Sequence, residues 1–218
     1  MTLPKTGIAI VVSMLVIISA VSAYLVIFSG SSVGVRLNVP TSALGSIFSG
    51  YNISLITNKS EIFSGTLKSE GYVSASDEVF NATNKYNKLA VTIILMRYSN
   101  SSGANKPLSE ELSLVKEGPK HSGSYFSIIG IKNYSHYGIT VPIYEILDIG
   151  VLNLTTVNRS IDSGLPTMPY YQFTSMFVYG DYYGSATVNG YYNSSTFSNA
   201  SMSIAEYLIN RFPNAVND

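Results

Sequence analysis

The residues of this chain that could do chemistry are few and scattered. Gly30-Ser31-Ser32-Val33-Gly34 has the G-x-S-x-G spacing of a nucleophile elbow, where a Ser sits on a sharp strand-to-helix turn. A strand-like alternation follows it here, where the elbow needs a helix, so no nucleophile is assigned. His121 and His136 lie in Gly- and Ser-rich surroundings without H-E-x-x-H or H-x-H spacing. Both are expected to be solvated loop residues, and no metal ligand is assigned. Asp77-Glu78 and Glu110-Glu111 are adjacent pairs, and strand neighbours point to opposite faces, so on strands neither pair makes an acid–base couple. Glu145 and Asp148 fall in an apolar strand pattern where burial would perturb them, but one such acid is not a site. Cysteine is absent, which excludes thiol catalysis, iron–sulfur clusters and Cys-based zinc. The reading is of a chain that is not an enzyme and holds no cofactor.

Modification chemistry is better represented. Asn52, Asn58, Asn81, Asn100, Asn133, Asn153, Asn158, Asn193 and Asn199 each open an Asn-x-Ser/Thr acceptor. Random placement of the asparagines in so Ser- and Thr-rich a chain would give roughly four such acceptors. The excess predicts dense N-linked glycosylation, and with it export. Tyrosine clusters at 169–173, 179–184 and 190–192 suit packing and interfaces on β surfaces; the lack of Trp weakens a sugar-binding platform.

The elements that would position these residues are mostly strands. Tyr, Phe, Val, Ile and Thr are abundant, as a pleated, half-buried surface prefers. Residues 51–57 and 61–67 read as a hairpin around Asn58-Lys59-Ser60, and 88–98 as a central strand. Residues 100–107 read as a loop, and further strands are expected at 124–132, 139–154, 170–180 and 185–192, with Pro142 marking an edge or a bulge. One helix is predicted near the end, with Ser203-x-x-Glu206 as its capping box, Ile204, Leu208 and Phe212 on one face and Pro213 as its stop. The predicted class is mainly β: a sandwich-like (Ig-like or pilin-like) head over 41–218, with an extended amino-terminal tail strand and a short carboxyl-terminal helix. Thirteen basic residues balance thirteen acidic ones and only 12% of the chain is charged, which argues against nucleic acid as a partner. So few basic groups also limit self-repulsion at acid pH.

At the amino terminus, Gly7 to Phe28 is uncharged and long enough to cross a bilayer as a helix. Val21-Ser22-Ala23 is also a small-residue cleavage pattern, which makes residues 1–23 a secretory signal ending at Ala23. Retained as an anchor, the segment would hold a membrane-bound monomeric ectodomain; cut before the apolar run, it would resemble a type IV-like pilin. Cleavage at Ala23 leaves a tail, 24–40. Tyr24, Leu25, Val26, Ile27 and Phe28 are apolar on both faces of a strand, and Val33, Val35, Leu37 and Val39 alternate. A tail of this kind aggregates unless a sheet accepts it, and docking on the next copy builds an open fibre.

With its leader, its tail "YLVIFSGSSVGVRLNVP", its sequon-rich β-type body and its lack of cysteine, the chain resembles the subunits of archaeal thread filaments. The resemblance implies a secreted, cell-surface glycoprotein whose partners are copies of itself, joined by donor-strand complementation. It also implies no catalysis, and contact with the membrane only through the segment before cleavage.

Overall fold

A computed structural model describes residues 37–117, 125–152 and 168–212. The described residues form seven strands and four helices, in the order α1 (Thr41–Ile47), β1 (Asn52–Ile62), α2 (Gly65–Ser69), β2 (Tyr72–Thr83), β3 (Lys88–Tyr98), α3 (Ser101–Glu117), β4 (Tyr125–His136), β5 (Ile139–Leu152), β6 (Met168–Tyr179), β7 (Tyr182–Gly190) and α4 (Ser195–Asn210). The chain is mainly β, with a helix near its carboxyl end, as its sequence predicts.

All seven strands belong to one antiparallel sheet in the order β1-β2-β3-β7-β6-β5-β4. It consists of two meanders, β1-β2-β3 and β4-β5-β6-β7, joined where β7 pairs with β3. Tight turns make the meanders possible. Tyr137 and Gly138 both take positive φ between β4 and β5, the requirement of a two-residue type I′ turn. Asn84 caps the β2–β3 connection by accepting from the N–H groups of Tyr86 and Asn87.

The layers that close the core on either side of the sheet are helices. Burial alternates along β2 from Ser74 and along β3 from Lys88 to Met96, so Phe80, Leu89, Val91 and Ile93 face one side with Val188, Phe173 and Phe177. Helix α4 covers this face with Phe197, Ala200, Ile204, Ala205 and Leu208, and α1 adds Leu44. On the opposite face, Ala104, Leu108 and Val115 of α3 pack against Tyr98, Ile146, Met176 and Tyr183.

Several expectations are corrected. Where a hairpin is expected at 51–67, one strand, β1, runs through its turn from Asn52 to Ile62, because Asn58 and Ser60 bond sideways to side chains of β2 instead of turning, and α2 follows from Gly65. Residues 100–107 are not a loop: Asn100 Oδ1 accepts from Gly103 N, and the apolar positions of α3 supply the packing that its composition hides. Helix α4 starts at Ser195, capped by Ser194, so Ser203 and Glu206 lie inside it. Pro142 is in an interior strand, but the β5–β6 ladder begins only at Tyr144, so the proline sits where β5 has a neighbour on one side. His136 is buried rather than solvated, its Nε2 3.0 Å from the Phe212 carbonyl and its ring between Tyr137 and Tyr179. His121, the motif at 30–34, and the leader and tail residues 1–36, including Ala23, lie outside the described residues.

Candidate functional site: the clasp on residues 37–39

The tail residues Tyr24, Leu25, Val26, Ile27, Phe28, Val33 and Val35 lie outside the described residues, but Leu37 and Val39 are inside them. Both are buried in the core of their own chain, at 2% and 5% exposure, between the sheet and the helical layer. They join no strand ladder. Their backbone is instead held by side chains.

Ser76 and Glu78 are two residues apart on β2, so both face this side of the sheet, and both are buried. Leu37 donates its N–H to Ser76 Oγ at 3.1 Å, and Val39 donates to Glu78 Oε2 at 3.0 Å. The second oxygen of Glu78 accepts from Asn58 Nδ2 at 2.8 Å, while Ser76 Oγ lies 3.0 Å from Ser60 Oγ on β1. From above, Arg211 at the carboxyl end of α4 donates to the carbonyls of Leu37 and Asn38. Asn38 takes φ +44°, which turns its side chain outward between two buried neighbours. Two strands and a helix end thus grip three residues. Bonds to a charged partner contribute about 1.5–3 kcal/mol each, more than the neutral bonds beside them.

Burial pushes the Glu78 carboxyl above the usual carboxylate range, and Asp77 adds to this. The N–H groups of Val39 and Asn38, together with Arg211, pull the other way. Asp77 points to the opposite face, as the strand parity of the pair requires, and burial raises it too, against Lys59. Glu110 and Glu111 are on α3 rather than a strand. Glu145 is buried on the α4 side of the sheet; Asp148, on the other side, is raised by burial against a bond from Tyr170. These acids are therefore not gathered, and among the described residues no three His, Cys, Asp or Glu side chains could hold a metal ion.

The acceptor asparagines are spread over the surface. Asn52, Asn58, Asn100, Asn133, Asn193 and Asn199 are exposed, and Asn81 is half-buried within β2. Asn153 and Asn158 lie outside the described residues. Asn58 differs from the others in that its Nδ2, the atom a glycan would occupy, is bonded to buried Glu78. The tyrosine clusters are largely packing material: Tyr179 and Tyr183 are buried, Tyr182 lies on Phe212, and only Tyr191 and Tyr192 are widely exposed.

Sequence reasoning missed the clasp itself. Ser76 and Glu78 are 39 residues from their partners, and Arg211 is more than 170 from its own. No local signal marked it, because β2 mixes Ser, Asp, Glu and Asn with its apolar residues on both faces.

No family model matches the chain, and no curated protein matches it. Among solved structures, a crystal structure of the extracellular domain of PknH from Mycobacterium tuberculosis is similar over 78% of this chain and 91% of that one, at 7% identity and a TM-score of 0.47. A likeness at that level carries nothing about activity, partner or location to this chain.

Proposed function

We propose that this chain is a non-catalytic subunit of an extracellular cell-surface filament, N-glycosylated, in which the amino-terminal tail of one copy docks on the next. The observation that carries the reading is the clasp. It fixes the root of the tail at one place on the body, where Ser76, Glu78 and Arg211 replace a strand ladder. A load on the tail would pass through Leu37–Val39 into β2 and α4. The neutral, sequon-bearing surface and the dispersal of the acids fit a structural role better than catalysis.

A second reading is favoured by a specific observation. Leu37 and Val39 are core residues of their own chain, as the first segment of a membrane-anchored monomeric ectodomain would be. The mature amino terminus and the size of the particle separate the two. A start at Tyr24 in material that sediments as a polymer is the expected result. A start at Met1 or Thr2 in a membrane-bound monomer would replace the filament with the anchor, and a start at Thr6 or Gly7 would favour a type IV-like pilin.

A further inference from the structure

We infer that the N-linked glycan of Asn81 lies along a polar row on its own sheet, held by Asn189, Gln172 and Asp148; this rests on the N-glycosylated reading above. The row is fixed by strand register. Asn81 pairs with Ala90, Ala90 with Asn189, Asn189 with Gln172 and Gln172 with Asp148. Five residues on five successive strands, β2-β3-β7-β6-β5, thus stand in one line. Directly paired residues share a face, and Asp148 is two residues from Ile146, which packs under α3. The whole row is therefore on the α3 side. Helix α3 itself packs on the other half of that face, against Tyr98, Met176 and Tyr183, and reaches from β3 to β4. It runs beside the row as a wall.

The chemistry of the row is that of a binding surface. Asn81, Asn189, Gln172 and Asp148 are all half-buried, and Ala90 contributes only a methyl, which lowers the floor next to the acceptor. Asn189 Oδ1 is buried without a hydrogen-bond partner among the described residues, and a half-turn of the amide presents it to a hydroxyl on the row. Gln172 Nε2 leans on Thr174 Oγ1 at 3.4 Å, and Thr174 Oγ1 lies 3.0 Å from Thr187 Oγ1, so hydroxyls line the side toward α3. At the far end Tyr170 donates to Asp148 and lays its ring over Gly150, where a Cβ would overlap it. The carboxylate keeps further acceptor sites beyond that bond. Amides, hydroxyls and a carboxylate ending on an aromatic ring match a sugar chain, which offers many hydroxyls and apolar C–H faces.

The occupant follows from where the row begins. Its first residue, Asn81, opens the acceptor Asn81-Ala82-Thr83, and among the described acceptors it alone stands in the row. Asn58, the other acceptor within this part of the sheet, is turned to the opposite face and engaged with Glu78. From Asn81 to Asp148 is four strand spacings, or about 19 Å, within the reach of a short oligosaccharide. A sugar chain rooted on Asn81 meets the row as an intramolecular partner, so individually weak bonds along it suffice to hold the chain down.

Periodate, which cleaves accessible vicinal diols of sugars, reads the contact. The native glycoprotein is oxidised while folded, and its glycopeptides are followed by mass. The sugars on Asn81 should react about tenfold more slowly than those on Asn133 and Asn199, and at the same rate once the chain is unfolded. Gln172→Ala combined with Asn189→Ala should abolish the difference. Equal rates in the folded parent, or undiminished protection in the double variant, would overturn the inference. Protection that fades on dilution would place the sugar on a second copy and overturn the own-sheet assignment. Asn81→Gln should lower the melting midpoint of the parent by about 2–4 °C and leave that of the double variant unchanged; equal shifts in both would also overturn the inference. A bare Asn81 beside occupied Asn133 and Asn199 would overturn it and leave the glycosylated filament reading standing. Bare acceptors throughout would overturn both.

Discussion

Glu78 shows what a single side chain decides in this protein. It is one of two adjacent acids, and strand parity alone sends it and Asp77 to opposite faces of β2. That much is legible in the sequence. Its partners are not, because Val39 and Asn58 reach it only after β1 has paired with β2 and the root of the tail has been laid across them. Glu78→Ala leaves the buried Val39 N–H without its acceptor and removes the shorter of the two bonds from Asn58 Nδ2, and a buried group left unsatisfied costs about 1–3 kcal/mol. The expected fall in unfolding free energy is about 1–3 kcal/mol by urea titration, with Glu78→Gln losing less; equal midpoints for all three proteins would mean the clasp does not hold the fold. Asn58 follows from the same geometry. Peptide mapping of the mature protein should find it unmodified while exposed acceptors such as Asn133 and Asn199 carry glycan, and a fully occupied Asn58 would contradict the Glu78 bond.

At the scale of elements, the strands rich in β-branched residues are legible and the polar ones are not. Residues 88–98 announce themselves as β3, with apolar residues throughout and a place inside the sheet. Strand β2, "YVSASDEVFNAT", carries Ser, Asp, Glu and Asn, and its alternation is visible only once Ser76 and Glu78 are known to be buried. The first half of α4, "STFSNASMS", has the composition of a loop, since Ser and Asn compete with helical hydrogen bonds. Packing overrides that preference: Phe197, Ala200 and Ser201 are buried against the sheet. Close approach beneath this helix depends on a glycine. A Cβ added at Gly184 would lie 2.3 Å from the ring of Phe177, its cross-strand partner. Gly184→Ala is therefore expected to cost about 1–3 kcal/mol, read as a lowered thermal midpoint. Gly45→Ala, in α1 with nothing within 4 Å of the new Cβ, should be neutral or gain up to about 1 kcal/mol. A Gly184→Ala protein as stable as the parent would contradict the packing of Phe177.

For the whole molecule, the buried acids act together. Burial raises the carboxyls of Glu61, Asp77, Glu78, Glu111 and Asp148 above their ordinary values, with Glu110 adding to the effect at Glu111. Neither carboxylate oxygen of Glu61 has a hydrogen-bond partner among the described residues. The native state then binds more protons than the unfolded chain between the ordinary carboxylate range near 4 and the raised native values, so unfolding free energy decreases as pH rises through that window. The raised groups destabilise the fold at neutral pH, and that penalty is absent once both states are protonated. Chemical denaturation should therefore give a larger unfolding free energy near pH 4 than near pH 7. A steady loss of stability from pH 7 down to pH 4 would mean that charge repulsion among the basic residues outweighs these acids.

Taken alone, the sequence determined the β class, the terminal helix, the neutral and cysteine-free composition, the excess of glycan acceptors and an apolar segment ahead of Leu37. These follow from local properties: composition, a two-residue alternation and short motifs. The tertiary structure alone decided that seven strands share one sheet, that helices rather than a second sheet cover its faces, and that Leu37 and Val39 are held by Ser76, Glu78 and Arg211. Each of those outcomes depends on residues far apart in the chain meeting. A buried charge in particular is stable only where distant donors converge on it, and no local pattern records which donors those will be.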